Sequence, residues 1–291
     1  MKIESRGLVL HQSDIKSHCL EQMRLGMIAE GPRMETDAAT VGTVLHSVIE
    51  HELNGNPFED EATAIEWAAA DYVRELEVFA ADGALYNMAT FGDHTKALKA
   101  LSWLVRSWYH CPERTDLLYR DIEYKTEWKF DLPFRDIEVR KSKNVTETIP
   151  VFLAGTSDLV ANNRVYDWKT AGSEYKQWEL QRWGRQPDVY TWAAAQAGLV
   201  TPDRDGLYYF DFKVFVRRQE IRLPDTVTVK RSANHWAWLE VIVTRLVNMY
   251  YQVGLETGWP LDDQHVLCSD RWCPFWSGCK GQLIEPSKGW T

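Results

Sequence analysis

Nowhere in its 291 residues does the chain carry an apolar run approaching the ~18 residues that a membrane-spanning helix needs. Its first stretch, MKIESRGLVLHQSD, also lacks the continuous apolar core of a secretory signal. These absences lead to the expectation of a soluble, cytoplasmic protein that is bacterial, archaeal or phage-encoded and has no membrane partner. Cysteine is scarce, at five residues, and in a reducing compartment such a set points to metal ligands or buried thiols rather than a disulfide framework. There is no internal repeat, low-complexity tract or linker rich in Gly, Ser or Pro, so a single domain over 1–291 is expected. Basic residues are in deficit: 33 Lys and Arg against 42 Asp and Glu give a net charge of −9. That balance weighs against a nucleic-acid partner unless the carboxylates gather round a metal. Local basic clusters offset it, at Arg135, Arg140, Lys141 and Lys143, at Lys213, Arg217 and Arg218, and at Lys230 and Arg231.

Tryptophan, by contrast, is abundant, with 14 in the chain. Ser13 and Asp14 read as a cap opening a short helix that carries Cys19. From Asp37 to about Leu53, Val41, Val44, Leu45, Val48 and Ile49 recur at helical spacing, with Gly42, Thr43, His46 and Glu50 on the flank. Two more amphipathic helices are expected over about 60–80 and 95–110, forming a helical insertion at 55–118. The period then switches to two: Ile122, Tyr124, Thr126, Trp128 and Phe130 alternate with charged residues. Strands are expected at about 149–161, 164–169, 206–216 and 219–223, helical stretches around 174–197, and a long helix from about 233 to 255. The class is α/β, a central mixed sheet flanked by helices.

Between two apolar runs of GTSDLVANNRVYDWKTA lies Asn162-Asn163, a pair that tolerates the positive φ of a tight hairpin turn. With those residues at the turn, Asp158 stands opposite Asp167, Leu159 opposite Tyr166 and Ser157 opposite Trp168. Cross-strand Cβ atoms are about 4.5–5.5 Å apart, a range at which like charges repel unless something positive lies between them. A divalent cation resolves the conflict. Lys169, two residues beyond Asp167, shares its face of the strand. The competing reading is a surface hairpin with two solvated aspartates.

Asp158 in GTSD and the following Asp167-Trp168-Lys169 resemble the paired motif of the PD-(D/E)XK nuclease superfamily, although no Pro precedes Asp158. Gly42-Thr43-Val44-Leu45-His46 resembles the GxxxH helix of its RecB-like branch, Glu127 the branch's upstream glutamate, and Gln186 with Tyr190 its QxxxY motif. Pro187 departs from that pattern and is tolerated where a helix begins. The resemblance implies a restriction-endonuclease-like core and one or two Mg²⁺ or Mn²⁺ ions held by His46, Glu127, Asp158, Asp167 and the carbonyl of Trp168. It makes Lys169, Asp158, Asp167, Gln186 and Tyr190 the catalytic set and implies 5′-phosphate products. The implied substrate is DNA, single-stranded or with free ends, with Trp178, Trp183 and Trp192 near Arg182 and Arg185 as candidate stacking partners for bases.

Cys268, Cys273 and Cys279, spaced C-x4-C-x5-C, with Cys19 far upstream, resemble the cysteine set of iron–sulfur RecB-like nucleases such as AddB-type subunits and CRISPR-adaptation-associated exonucleases. That likeness implies a [4Fe-4S] cluster joining the two ends of the core, with zinc as an alternative. A protein partner in a repair, recombination, phage or CRISPR-linked complex is implied in the same way. Cys111 is left over as a buried thiol. An iron–sulfur DNA-binding or complex-assembly module with little or no nuclease activity is the alternative function.

Overall fold

The computed structural model describes residues 2–15, 24, 34–142, 145–174, 185–217 and 220–254. A short antiparallel pair, β1 (Lys2–Glu4) and β2 (Gly7–His11), runs directly into helix α1 (Gln12–Ile15). The helix therefore starts ahead of Ser13, and the Asp14 carboxylate instead accepts from the His11 N–H at 2.8 Å. Cys19 lies outside the described residues.

Strand β3 (Met34–Thr36) leads into α2 (Asp37–Leu53), whose start is fixed by the Thr36 hydroxyl accepting from the Ala39 N–H at 3.1 Å. Asp60 and Asp93 cap α3 (Glu61–Ala81) and α4 (His94–Tyr109) in the same way, and Pro112 begins α5 (Pro112–Tyr119). Between α3 and α4, β4 (Leu85–Asn87) pairs with β3 in parallel. The helical reading of the first third of the chain holds within a residue or two.

Strand β5 (Tyr124–Ser142) runs well past the expected alternation, because β6 (Val145–Ala161) pairs with it along nearly its whole length. Chain reversal at Asn162 and Asn163, with φ of 50° and 58°, leads to β7 (Arg164–Ala171). Helix α6 (Gln186–Gln196), strands β8 (Tyr208–Val216) and β9 (Asp225–Arg231), and helix α7 (Ala233–Gln252) complete the described elements. The strand expected at 219–223 forms instead after Pro224, whose ring removes a ladder donor and confines it to the strand's approach.

Among the described residues the main sheet has seven strands, ordered β1-β2-β6-β7-β8-β9, with β5 on β6. It is mixed: β2 with β6 and β7 with β8 are parallel, the remaining pairs antiparallel. One face packs on α6 and α7 through Val160, Val165, Phe210, Val189 and Leu246. The other packs on α2–α5 through Leu159, Tyr166, Trp168, Val44, Leu104 and Trp108. Residues of β7 thus alternate between two cores, which makes it a central strand buried on both sides. Helices α3, α4 and α5, within 61–119, cover the second face together with α2.

Two sequence expectations change here. Lys213 is not part of a basic surface cluster: only 4% exposed, it pairs with Glu113 and donates to Thr226 Oγ1 at 2.7 Å. Arg231 is buried as well and pairs with Asp188. Trp192 sits in the core, edge-on to Phe134, and is closed to nucleobases, while Trp178, Trp183 and Arg182 lie outside the described residues.

Candidate metal centre

The site is built where a ladder stops. On one edge β6 pairs with β5 along nearly its whole length; on the other it pairs with β2 up to Ala154 and with β7 from Leu159 on. Residues 155–158, the GTSD segment, therefore have no strand partner on that second edge among the described residues. The expected turn and the Leu159–Tyr166 register are present. The expected Ser157–Trp168 pairing is not: the Trp168 N–H donates to Asp158 Oδ2 at 2.7 Å, so a carboxylate stands where a carbonyl would complete the ladder. Two aspartates in register repel, and opening the strands there relieves the contact.

Gly155, at the start of the GTSD segment, lets Phe130 and α6 pack closely on β6. A Cβ on it would lie 2.8 Å from Phe130 and 3.1 Å from Tyr190, so a side chain would have to displace both rings. Gly42 plays the matching part in α2: a Cβ there would meet the Thr170 hydroxyl at 2.9 Å, and without one the helix lies close over the end of β7. That approach brings His46 over the gap, with Nδ1 3.7 Å from Asp158 Oδ1.

His46, Glu50 and Asp158 each offer a ligand atom, and these atoms all lie within 4.8 Å of one another. Glu50, on the flank of α2, joins the site without being marked by any motif. The available signal was its position one turn after His46, which places both on one face. Glu127 faces Asp158 across the hairpin, since Thr126 pairs with Leu159 and Trp128 with Ser157. Its φ of 43° is uncommon for a residue with a side chain and interrupts the ladder at this point. Glu123, a second acidic residue upstream, precedes the strand and is exposed.

Asp167 lies 2% exposed on the next strand. Its Oδ1 accepts from Gln186 Nε2, and its Oδ2 is 2.6 Å from Lys169 Nζ in ionic contact without hydrogen-bond alignment. Gln186 is the first residue of α6, after the Arg185 cap, so Pro187 falls in the first turn, where its missing N–H costs nothing. Tyr190, one turn on, is packed between Phe130 and Phe210. Trp168 is fully buried against Trp108 and Phe215, which fixes the backbone between Asp167 and Lys169.

The electrostatics are those of a cluster short of positive charge. Burial, then the charges of Glu127 and Asp158, push the Glu50 carboxyl up to about 7, with Lys129 opposing. Burial pushes Asp167 up to about 6 against the pull of Lys169, and Asp158 adds to the rise. Oxygen donors joined by one imidazole suit a hard or borderline divalent cation, and the misaligned buried oxygen of Asp167 is a further available donor, so these residues fit such an ion.

A pH dependence follows. A carboxyl whose folded pKa lies above its unfolded value stabilises the fold most below the unfolded pKa, and that contribution is lost as pH rises through the folded one. In EDTA the melting temperature is expected to fall from about pH 5 to about pH 8. Glu50→Gln should flatten the profile and Mn²⁺ should reverse the fall. A wild-type melting temperature that rises over this window, or an unchanged profile in the variant, would overturn the assignment.

The described residues thus combine a mixed sheet between helical layers with carboxylates, an imidazole and a lysine at a splayed strand pair, the form of a metal-dependent phosphodiesterase. The family model of the PD-(D/E)XK nuclease superfamily matches residues 18–280, and the chain belongs to that superfamily. No curated protein matches it. A solved structure described as "Crystal structure of SSO0001" is similar at 14% identity over 93% of this chain and 96% of that one, with a TM-score of 0.29. No described helix is long and apolar enough to cross a membrane. Cys268, Cys273 and Cys279, like Cys19, fall outside the described residues, whereas Cys111 is buried as expected.

Proposed function

We propose that the protein is a Mg²⁺- or Mn²⁺-dependent deoxyribonuclease of the RecB-like branch, acting on single-stranded DNA or on free ends. The observation that carries this reading is the convergence of His46, Glu50 and Asp158 beside the Asp167–Lys169 pair, at a break in the sheet. His46, Glu50, Asp158 and Asp167 would hold the ion, with Glu127 and the Trp168 carbonyl completing the set. Such an ion supplies the positive charge that an attacking water and a pentacoordinate phosphorus both require.

The chain's own residues carry the remaining steps. Lys169, held by Asp167, orients the water and stabilises negative charge gathering on the phosphoryl oxygens. Gln186 holds Asp167 through its other oxygen, and Tyr190 braces the helix carrying Gln186. The water's oxygen bonds to phosphorus as it gives up a proton to solvent, and the P–O3′ bond breaks as O3′ takes up a proton from solvent, leaving a 5′-phosphate and a 3′-hydroxyl. Helices over 55–118 are read as an insertion within one nuclease domain.

The test is cleavage of end-labelled single-stranded, blunt double-stranded and closed circular DNA with Mn²⁺, using Asp158→Ala and Lys169→Ala as controls. Cleavage that both variants retain would sink the proposal, and equal cutting of closed circles would remove the preference for ends. Cys19, Cys268, Cys273 and Cys279 support, by their spacing, a structural [4Fe-4S] cluster, with zinc the alternative. Anaerobically purified protein should contain about four irons per chain and absorb in the visible range. Zinc in place of iron, or no metal, would remove the cluster.

A further inference from the structure

The carboxylate cluster lies between two grooves strung along α2. The first, about 230 Å³, is lined by Gly42, Thr43, His46, Lys169 and Thr170 and meets the cluster at His46. The second, about 640 Å³, lies between Leu53, Asn54 and Gly55 at the far end of the helix and residues 124–129 of β5, and meets the cluster at Glu127. From Gly42 to Leu53 a helix advances about 16 Å. A polymer laid along α2 therefore passes through the first groove, the cluster and the second groove in turn.

The β5 groove differs in charge from the rest of an acidic chain. Lys125 and Lys129 line it, both exposed, and neither ammonium makes a hydrogen bond or ion pair with a described residue. Most other described cations are spent within the fold: Arg114 on Glu52, Arg164 on Asp211, Lys213 on Glu113 and Arg231 on Asp188. Lys129, on the side of β5 that faces Glu50, and Lys125, four residues earlier on the same strand, put positive charge on either side of Glu127, next to a centre that would cleave a phosphodiester. Lys129 is near enough for its charge to reach Glu50. The groove is open along the edge of β5, so an extended strand can lie in it. Trp128, half-buried against Phe130 with ring centroids 5.2 Å apart, lines the same groove and offers apolar surface to a base or sugar.

Resting on the nuclease reading, we infer that Lys125 and Lys129 are substrate-positioning residues that take the phosphates on one side of the scissile bond. They fix which stretch of strand lies beyond the cluster and touch none of the reacting atoms.

The test uses the full chain and a fluorescent single-stranded oligonucleotide. Affinity is read by anisotropy in Ca²⁺, so the result does not depend on turnover, and KM and kcat are read in Mn²⁺. Lys125→Ala with Lys129→Ala should weaken binding and raise KM about tenfold, with kcat within about twofold. The slope of log affinity against log salt should become shallower by about 1.4, since each single-strand phosphate contact accounts for about 0.7. Arg at both positions should restore the slope. Lys99→Ala, which removes an exposed lysine on α4 whose ammonium has no partner among the described residues, should leave it unchanged.

An unchanged slope in the double variant overturns the inference. So does an effect confined to the Mn²⁺ concentration required, because Lys129 would then act through Glu50 and not on the strand. Wild-type protein that binds the strand through these lysines but never cleaves it would remove the nuclease reading and leave the groove assignment intact.

Discussion

Lys169→Ala is expected to lower kcat for Mn²⁺-dependent DNA cleavage by about 10²–10³-fold with KM within about threefold, as for loss of a group that acts on charge developing in the transition state. The ammonium is about one-third exposed and sits 2.6 Å from the buried Asp167 oxygen, so it reaches outward while anchored. Its loss acts in a second way. Asp167 is already pushed up to about 6, and Lys169 is the largest influence holding it down. Without that charge Asp167 takes up a proton more readily, and raising the pH of the assay should restore metal binding but not kcat. Asp158→Ala should differ: it removes a ligand oxygen and the acceptor of the Trp168 N–H, so both Mn²⁺ binding by calorimetry and cleavage should disappear. Activity in either variant within about twofold of wild type would remove the catalytic assignment.

The largest effect on stability is expected two residues from Glu50. Glu52 is fully buried and accepts four hydrogen bonds: from Arg114 Nε and Nη2 at 2.7 Å each, from Trp108 Nε1 at 2.7 Å and from the Tyr109 hydroxyl at 3.0 Å. The Arg114 guanidinium in turn lies 3.8 Å over the Tyr109 ring. This network clamps the last turns of α2, the helix that carries His46 and Glu50, to α4 and α5. Glu52→Ala leaves Arg114 charged and buried without its partner, which costs about 3–5 kcal/mol. Replacing both residues with apolar ones of similar size, Glu52→Leu with Arg114→Met, should cost less than the single change, because no charge is then stranded. Urea unfolding of the three proteins decides it, and a double variant less stable than Glu52→Ala would contradict the account.

Glu50 and Glu52 also mark how far local sequence carries. Helical spacing located α2, and the His46-to-Glu50 interval put those two on one face. Nothing local to the run distinguishes a carboxylate facing the gap in the sheet from one buried under Arg114. That distinction depends on Arg114, Trp108 and Asp158, which are distant in sequence and reach the helix only once the layers pack. Glu127 was marked by its place on the polar side of a strand, while the positive φ that interrupts the ladder there was not foreseeable. Lys213 and Arg231, counted among basic surface clusters, proved internal because a strand's two faces look alike in sequence until helices cover both.

The turn at Asn162-Asn163, the order of its flanking residues and the nearness of Asp158 to Asp167 and Lys169 were determined by the sequence itself, because a two-residue turn fixes cross-strand register. Only the tertiary structure decided that the register would not be kept as a ladder. Asp158 takes the Trp168 N–H, Gly42 and Gly155 let a helix close in from either side, and His46 and Glu50 meet Asp158 over the resulting gap. Backbone preferences act over a few residues and are legible locally; the balance of carboxylate repulsion, burial and close packing that opens the strands depends on residues more than 100 positions apart.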